Sequence, residues 1–358
     1  MVLWKINLIK YLIIKNHTVY NCATINLNIL DIVKIYILQR GIIQMEIKLR
    51  KVGIIGVGHV GAHVAFSLVT QGLVDELVLV DSNKQKAISE RHDLLDATTY
   101  LPHRINVIAG EYEDLADCDI IVNSVGKITE SRDRLDELQQ SVDMVDSYIN
   151  KVMNAGFNGI IINITNPCDI IAYHIQKVTG LPHNQVFGTG TGLDSSRFRN
   201  VMAQCTGIDH KSIVGYSLGE HGDSQMIPWS AVNLGGKPLS ELEKERPETF
   251  GSLDKKDITY KTIKGGWFTY EGKKCTEFGI ASTAARFIKG IYHDEKFVTT
   301  ASTLLEGHYG EEGLYISIPV VIGKNGVEDK YELNLTEEEL KEFKHSCNVV
   351  KENMSKIK

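Results

Sequence analysis

The chain has 358 residues, 43% of them hydrophobic and 23% charged, with a formal net charge of -6. That length can bury a sizeable core, as two intimate domains or one large α/β domain, and the balance is ordinary for a soluble globular protein. Lys and Arg are spread along an acidic chain with no basic tail, which argues against a nucleic-acid partner.

Residues 1–44 differ in character from the rest of the chain. They are rich in Ile, Asn, Tyr and Lys, and apolar runs such as Tyr11-Leu12-Ile13-Ile14 are broken by Lys10 and Lys15. No run of about 18 apolar residues is present to cross a membrane, and no small-residue cleavage site follows the short run near Met1. Ile, Asn, Lys and Tyr have AT-rich codons, the composition of a translated upstream region in an AT-rich genome. Residues 1–44 are therefore expected to be a non-native or disordered extension, with Met45 as the true start.

From Lys51 to Ile55 the chain reads as a buried strand, followed by the glycine turn Gly56-Val57-Gly58-His59-Val60-Gly61 and a helical pattern over Val60–Val69 that ends at Gln71-Gly72. Leu77–Val80 is a second strand, closing on Asp81. This strand, turn, helix and strand unit of about 30 residues is the context in which a dinucleotide fingerprint is believable. The first glycine makes the bend, the second lets a pyrophosphate approach the backbone, and the third lets helix pack on strand. Asp81 stands where a carboxylate accepts hydrogen bonds from ribose hydroxyls and repels a 2′-phosphate, so NAD rather than NADP is the expected cofactor.

Ile120-Ile121-Val122 and Gly159–Ile164 read as further buried strands with helices between them. The fold class is α/β, a Rossmann-type doubly wound parallel sheet over residues 45–189, followed by a mixed α+β substrate domain over 190–358. In the second part Lys264-Gly265-Gly266-Trp267-Phe268 reads as a loop or hairpin edge. Leu314–Ile322 reads as a strand with its turn at Gly323-Lys324-Asn325-Gly326, and Thr336-Glu337-Glu338-Glu339 as a capping box opening the last helix.

Asp194 and Arg197 are three apart, which on a helix puts them on one face. One can orient a histidine while the other meets a carboxylate. His221, in Gly219-Glu220-His221-Gly222-Asp223, is flanked by glycines that let a ligand come close, and pairing with Asp194 would fix its tautomer and raise its pKa. Together with the fingerprint these motifs describe hydride transfer to a small 2-oxo acid. The six cysteines are scattered, with no CxxC and no clustering with histidine along the sequence, so no metal is expected and a reducing, cytoplasmic setting is. Cys168 reads as a small buried residue rather than a nucleophile.

Over residues 50–352 the sequence resembles the L-lactate/malate dehydrogenase family. The motifs that carry the resemblance are Gly56 to Gly61, Asn166-Pro167-Cys168-Asp169, Gly192-Leu193-Asp194-Ser195-Ser196-Arg197-Phe198-Arg199 and Gly219 to Asp223. It implies that His221 is the proton donor and acceptor, Asp194 its orienting partner, and Arg197 the bidentate clamp on the substrate carboxylate. Arg134 matches an arginine on a mobile loop that polarises the reacting carbonyl, and Asn166 an asparagine near that oxygen. Thr129 and Thr276 fall at substrate positions. Lys86, Tyr112, Gly126, Ser147, Ile164 and Thr189 fall where family members contact NAD. A homotetramer or homodimer is implied by the resemblance alone.

Departures from the family pattern bear on specificity. Residues 127–133 form a slightly shortened closing loop in which Thr129 or Glu130 stands where lactate enzymes carry glutamine and malate enzymes arginine. Uncharged side chains are therefore expected in preference to the second carboxylate of oxaloacetate. The Lys264–Phe268 segment and Gly215-Tyr216-Ser217-Leu218 resemble the L-2-hydroxyisocaproate branch, which implies room for branched 2-oxo acids as an alternative to pyruvate. Val214 replaces a histidine of the fructose-bisphosphate-regulated enzymes, whereas Arg199 matches the other half of that site. A catalytically inactive NAD-binding protein is the competing reading, and the complete His221, Asp194, Arg197 and Arg134 set counts against it.

Overall fold

The computed structural model describes residues 48–126 and 134–357, with the side chains of Arg134, Leu135 and Asp136 outside that description. The expectations for residues 1–44, and for Thr129, Glu130 and the rest of 127–133, fall outside the described residues.

Strand β1 (Lys51–Ile55) pairs in parallel with β2 (Glu76–Val80) on one side and β4 (Ile120–Asn123) on the other. Beyond them lie β3 (Asn106–Ala109), next to β2, and β5 (Ile160–Asn163) and β6 (Val186–Gly188), next to β4. These strands are short Val, Ile and Leu runs because helices cover both faces of a parallel sheet and leave no polar side to alternate with. The order β3-β2-β1-β4-β5-β6 is the doubly wound arrangement expected from the sequence. Its direction reverses between β1 and β4, which opens a crevice at the carboxyl ends of those two strands.

Helix α1 (His59–Gln71) follows β1 and buries Gly61, Val64, Ala65, Leu68 and Val69, a spacing of three and four residues that makes one apolar stripe. It stops at Gly72, whose left-handed backbone returns its N–H to the carbonyls of Leu68 and Val69. Helices α2 (Lys84–Thr98), α3 (Arg134–Asp146), α4 (Ile149–Asn154) and α5 (Cys168–Thr179) complete the crossovers.

The second part of the chain joins the same sheet. Strand β10 (Phe297–Glu306) meets β6 antiparallel at Ser302 and Gly188, and β11 (Glu312–Gly323) and β12 (Gly326–Lys330) extend it to nine strands among the described residues. Helix α6 (Gly192–Thr206) opens this part, and β7 (Ile213–Val214), β8 (Asn233–Leu234) and β9 (Lys237–Pro238) form a small separate sheet. Phe198, Met202, Ile213, Val232, Phe250 and Ile258 make a second core there. Helices α7 (Leu239–Glu245), α8 (Lys255–Lys273), α9 (Phe278–Tyr292) and α10 (Glu337–Met354) follow. As expected, Thr336 and Glu339 cap α10 reciprocally, and Glu339 also accepts hydrogen bonds from Ser230. No helix among the described residues is long and apolar enough to cross a membrane.

One expectation is corrected. Lys264–Phe268 is neither loop nor hairpin edge but the interior of α8, capped by Asp254, whose side chain accepts from the N–H groups of Lys256 and Asp257. Gly265 and Gly266 each cost about 1 kcal/mol relative to alanine in a helix. What they gain is proximity: a Cβ on Gly265 would lie 2.9 Å from Arg197 Cδ.

Because a Cβ on Gly61 would run into the carbonyl oxygen of Gly56, Gly61→Ala must push α1 off β1. Overpacking of this kind costs about 1–3 kcal/mol. Denaturant unfolding of the variant should show that loss, and an unchanged midpoint would show that the turn is slack.

Candidate active site

The crevice begins at the glycine turn. Gly56 leaves β1 with φ +87°, a conformation that favours glycine, and a Cβ there would stand 2.7 Å from Ser124 O on the neighbouring crossover. Gly58 has no heavy atom within 4 Å of its Cβ position. Packed glycines therefore flank an open one at the amino end of α1, where the first N–H groups of the helix lack a side-chain cap. That is a cradle for a phosphate group. Asp81 is held against it, one oxygen accepting from Val57 N at 2.9 Å and the other from Asn83 N at 2.9 Å. These residues fit a dinucleotide with free ribose hydroxyls.

The remaining cofactor candidates divide. Gly126, just past β4, also has open space at its Cβ position. Tyr112 is half-buried and stacks on Tyr148, with ring centroids 5.4 Å apart and planes 7° apart. Burial, then the Asp81 and Glu111 carboxylates, push the Tyr112 phenol up. Ser147 is exposed at the turn between α3 and α4, its hydroxyl donating to Met144 O at 2.6 Å. Ile164 follows β5, packed partly against the core. Lys86 is turned along α2 to Glu90 at 2.5 Å. Thr189 is buried and its hydroxyl serves the Cys168 thiol. Cys168 is buried as expected, its thiol pushed up to about 12 by burial first, so it is a poor nucleophile.

His221 is held by its backbone as much as by its ring. Gly219 N donates to Ser317 O at 3.0 Å, Glu220 N to Ser346 Oγ on α10 at 2.7 Å, and His221 N to Asp169 Oδ2 at 2.8 Å. The imidazole Nδ1 lies 2.6 Å from Asp194 Oδ2, and Arg197 Nη1 lies 2.6 Å from Asp194 Oδ1. A carboxylate oxygen can only accept here, so Nδ1 carries a proton and Nε2 is the nitrogen that exchanges one.

The charges reinforce one another. Burial pushes the Asp194 carboxyl up, but His221 and then Arg197 outweigh it and hold the group below its ordinary value. Burial pushes His221 down, and Asp194 outweighs that, leaving the imidazole above its ordinary 6.5. Asp169, also buried, is pushed up to about 6 by desolvation, which the hydrogen bond from the His221 N–H only partly opposes. Two carboxylates thus stand behind one imidazole with pKa values driven apart. Sequence reasoning misses the role of Asp169. The available signal is an acidic residue in the first turn of the helix after Asn166-Pro167.

Arg197 is only partly exposed, and Gly265 and Gly266 of α8 pack against its stem and guanidinium. The two glycines thereby make room for this arginine. Lys264 on the same helix pairs with Asp223 at 3.0 Å, tying α8 to the His221 loop. Asn166 is anchored through its carbonyl, which accepts from Ser141 Oγ at 2.8 Å. Thr276 lies partly buried between α8 and α9. Arg134 is the first residue of α3, and its side chain lies outside the described residues. Val214 is exposed on β7, while Arg199 donates to Ser195 O at 3.2 Å.

Residues 50–188 match the lactate/malate dehydrogenase NAD-binding domain, and residues 191–358 match the lactate/malate dehydrogenase alpha/beta C-terminal domain. The chain belongs to the lactate/malate dehydrogenase family. Similar proteins include an L-lactate dehydrogenase of Fusobacterium nucleatum, 42% identical over 302 residues that cover 84% of this chain and 95% of that protein. L-lactate dehydrogenase 3 of Bacillus cereus is 41% identical over 314 residues, 87% of this chain and 99% of its own. A lactate dehydrogenase of Cryptosporidium parvum, solved with lactic acid and nicotinamide adenine dinucleotide, superposes with a TM-score of 0.81 at 31% identity, covering 86% of this chain and 98% of that one. The minor L-lactate dehydrogenase of Enterococcus mundtii superposes at 0.83 with 34% identity, over 86% and 98% of the two chains.

The raised His221 pKa has a definite sign. Its contribution to folding stability is complete below 6.5, the unfolded value, and is lost as pH rises through the folded value. Proton NMR of the imidazole should give a midpoint above 6.5 in the parent protein and a lower one in Asp194→Asn. A midpoint unmoved by that substitution would remove Asp194 as the cause.

Proposed function

We propose that this family member is an NAD-dependent L-lactate dehydrogenase, interconverting pyruvate and L-lactate. The observation that carries this reading is the unbroken chain from Arg197 through Asp194 to His221, with both hydrogen bonds at 2.6 Å, beside a turn shaped for a dinucleotide.

When bound, NADH supplies the hydride to the carbonyl carbon. The protein's own residues handle the charge and the proton. Protonated His221 donates from Nε2 to the carbonyl oxygen as it becomes an alcohol, and Asp194 stabilises the imidazolium before the transfer and holds the ring in place after it. In the reverse direction neutral His221 takes the hydroxyl proton. Arg197 clamps the substrate carboxylate through its planar fork, which lysine cannot reproduce. Asn166 sits beside the reacting oxygen, Arg134 reaches it when the 127–133 segment closes, and Thr129 and Thr276 flank the methyl group. Gly56–Gly61, Asp81, Tyr112, Gly126, Ser147 and Ile164 hold the cofactor, with Lys86 and Thr189 as outlying contributors.

Pyruvate is favoured over branched 2-oxo acids because the space at Gly265 and Gly266 is filled by Arg197. Oxaloacetate is disfavoured because neither Thr129 nor Glu130 is a cation to pair with its second carboxylate, and an unpaired charge in a dry site is costly; Arg132, close by in sequence, is the one residue that could overturn this, and Asp133 beside it offsets its charge. The free thiols of Cys118, Cys168, Cys205, Cys275 and Cys347 suit a reducing, cytoplasmic setting. We further propose a homodimer or homotetramer, to be settled by light scattering.

With NADH, kcat/KM should rank pyruvate first, 2-oxoisocaproate second and oxaloacetate last; oxaloacetate in first place would make the protein a malate enzyme. His221→Gln should lower turnover of pyruvate by about 10² or more while NADH affinity stays near normal. Asp81→Ser should erode the preference for NADH over NADPH. An unaltered preference would place that determinant elsewhere.

A further inference from the structure

A second group of chemistry-bearing side chains gathers beside the cofactor turn. His59, the first residue of α1, and Glu277, just before α9, come together because α1 and α9 pack on each other. Cys275 joins them from the short connection between α8 and α9. One ligand atom from each of His59, Cys275 and Glu277 lies within 4.8 Å of the other two.

The two oxygens of Glu277 have separate tasks. Oε1 faces His59 Nδ1 at 3.8 Å and accepts from the Cys275 thiol. Oε2 is held by His63 Nε2 at 3.1 Å and Lys273 Nζ at 3.4 Å. His63 Nδ1 in turn meets His59 O at 2.7 Å. His63 thus links the backbone of one prospective ligand to the carboxylate of another, the kind of outer support that orients ligands in metal sites. Glu277 is buried, His59 is exposed, and Cys275 lies between.

We propose that His59 Nδ1, Cys275 Sγ and Glu277 Oε1 form a site for one thiophilic divalent cation of the Zn²⁺ kind, with its fourth position open to solvent. Imidazole and thiolate select such ions over Mg²⁺ and Ca²⁺, which want an oxygen cage. Tetrahedral ligands at about 2.0–2.3 Å from zinc stand roughly 3.3–3.8 Å apart, so small side-chain rotations close the present spacing. On binding, the Cys275 S–H bond breaks, its proton passes to solvent, and the sulfur–metal bond takes its place; the thiol's hydrogen bond to Glu277 gives way to the metal. Lys273 and His63 stay on Oε2, away from the ion. The site shares His59 with the cofactor turn. It bridges the fingerprint helix to the segment that carries Thr276.

The test uses the full chain without added NAD. Equilibrium dialysis against Zn²⁺ should retain one ion per chain, with Mg²⁺ failing to compete, and Cys275→Ser and His59→Gln should each bind at least about tenfold more weakly. Co²⁺ should produce a near-ultraviolet thiolate-to-metal absorption band in the parent protein that is missing in Cys275→Ser. Absence of retained zinc, absence of the cobalt band, or equal retention by both variants would overturn the proposal. The cobalt spectrum of the parent protein needs no variant to fold.

Discussion

The arrangement depends on keeping one carboxylate charged while it is 1% exposed to solvent. Stripping water from Asp194 costs several kcal/mol, and only close, well-directed partners can offset it. His221 and Arg197 supply them from opposite sides, at 2.6 Å each. That requirement explains much of the local architecture. The amino end of α6 must be buried against β10 and β11, the His221 loop must be held rigidly opposite, and α8 must give up two side chains so that Arg197 can lie flat against it. The same pairing that makes Asp194 tolerable makes His221 a stronger base. Stability and proton chemistry are here one electrostatic problem.

The crevice beside it arises from a different constraint. Parallel strands need crossovers, and where successive crossovers turn opposite ways between β1 and β4 the connecting segments part. Gly56 and Gly61 let the chain turn there without losing helix–strand contact, and Gly58 leaves its space to a visitor. Asp81 ties the turn together through the N–H groups of Val57 and Asn83. Its carboxylate is part of the cradle as well as a reader of what lies in it.

Most of this is legible in the sequence because it is local. Buried strands announce themselves as Val and Ile runs, the fingerprint as spaced glycines, and Asp194 with Arg197 as a helical pair. Even the partnership of His221 with Asp194 can be inferred from chemistry and family resemblance. What escapes depends on contacts between distant segments. Gly265 and Gly266 read as breakers because the arginine that makes them useful lies on another helix. Asp169 gives no sign that its partner is a backbone N–H fifty-two positions on. His59, Cys275 and Glu277 look scattered until α1 and α9 are packed together. Ser346 looks like any polar residue on the outer face of a terminal helix, yet it is fully buried.

That serine carries a consequence for how the molecule comes into being. The loop bearing His221 is braced through Glu220 N by a hydroxyl on α10, the final helix of the described chain. A ribosome delivers the fingerprint, α6 and the histidine loop long before it delivers this brace. The loop's contacts to Asp169 and Asp194 are thus available before the one to Ser346. The order of synthesis delivers the residues of the cradle and the histidine loop first, and the hydroxyl that braces the loop only with α10.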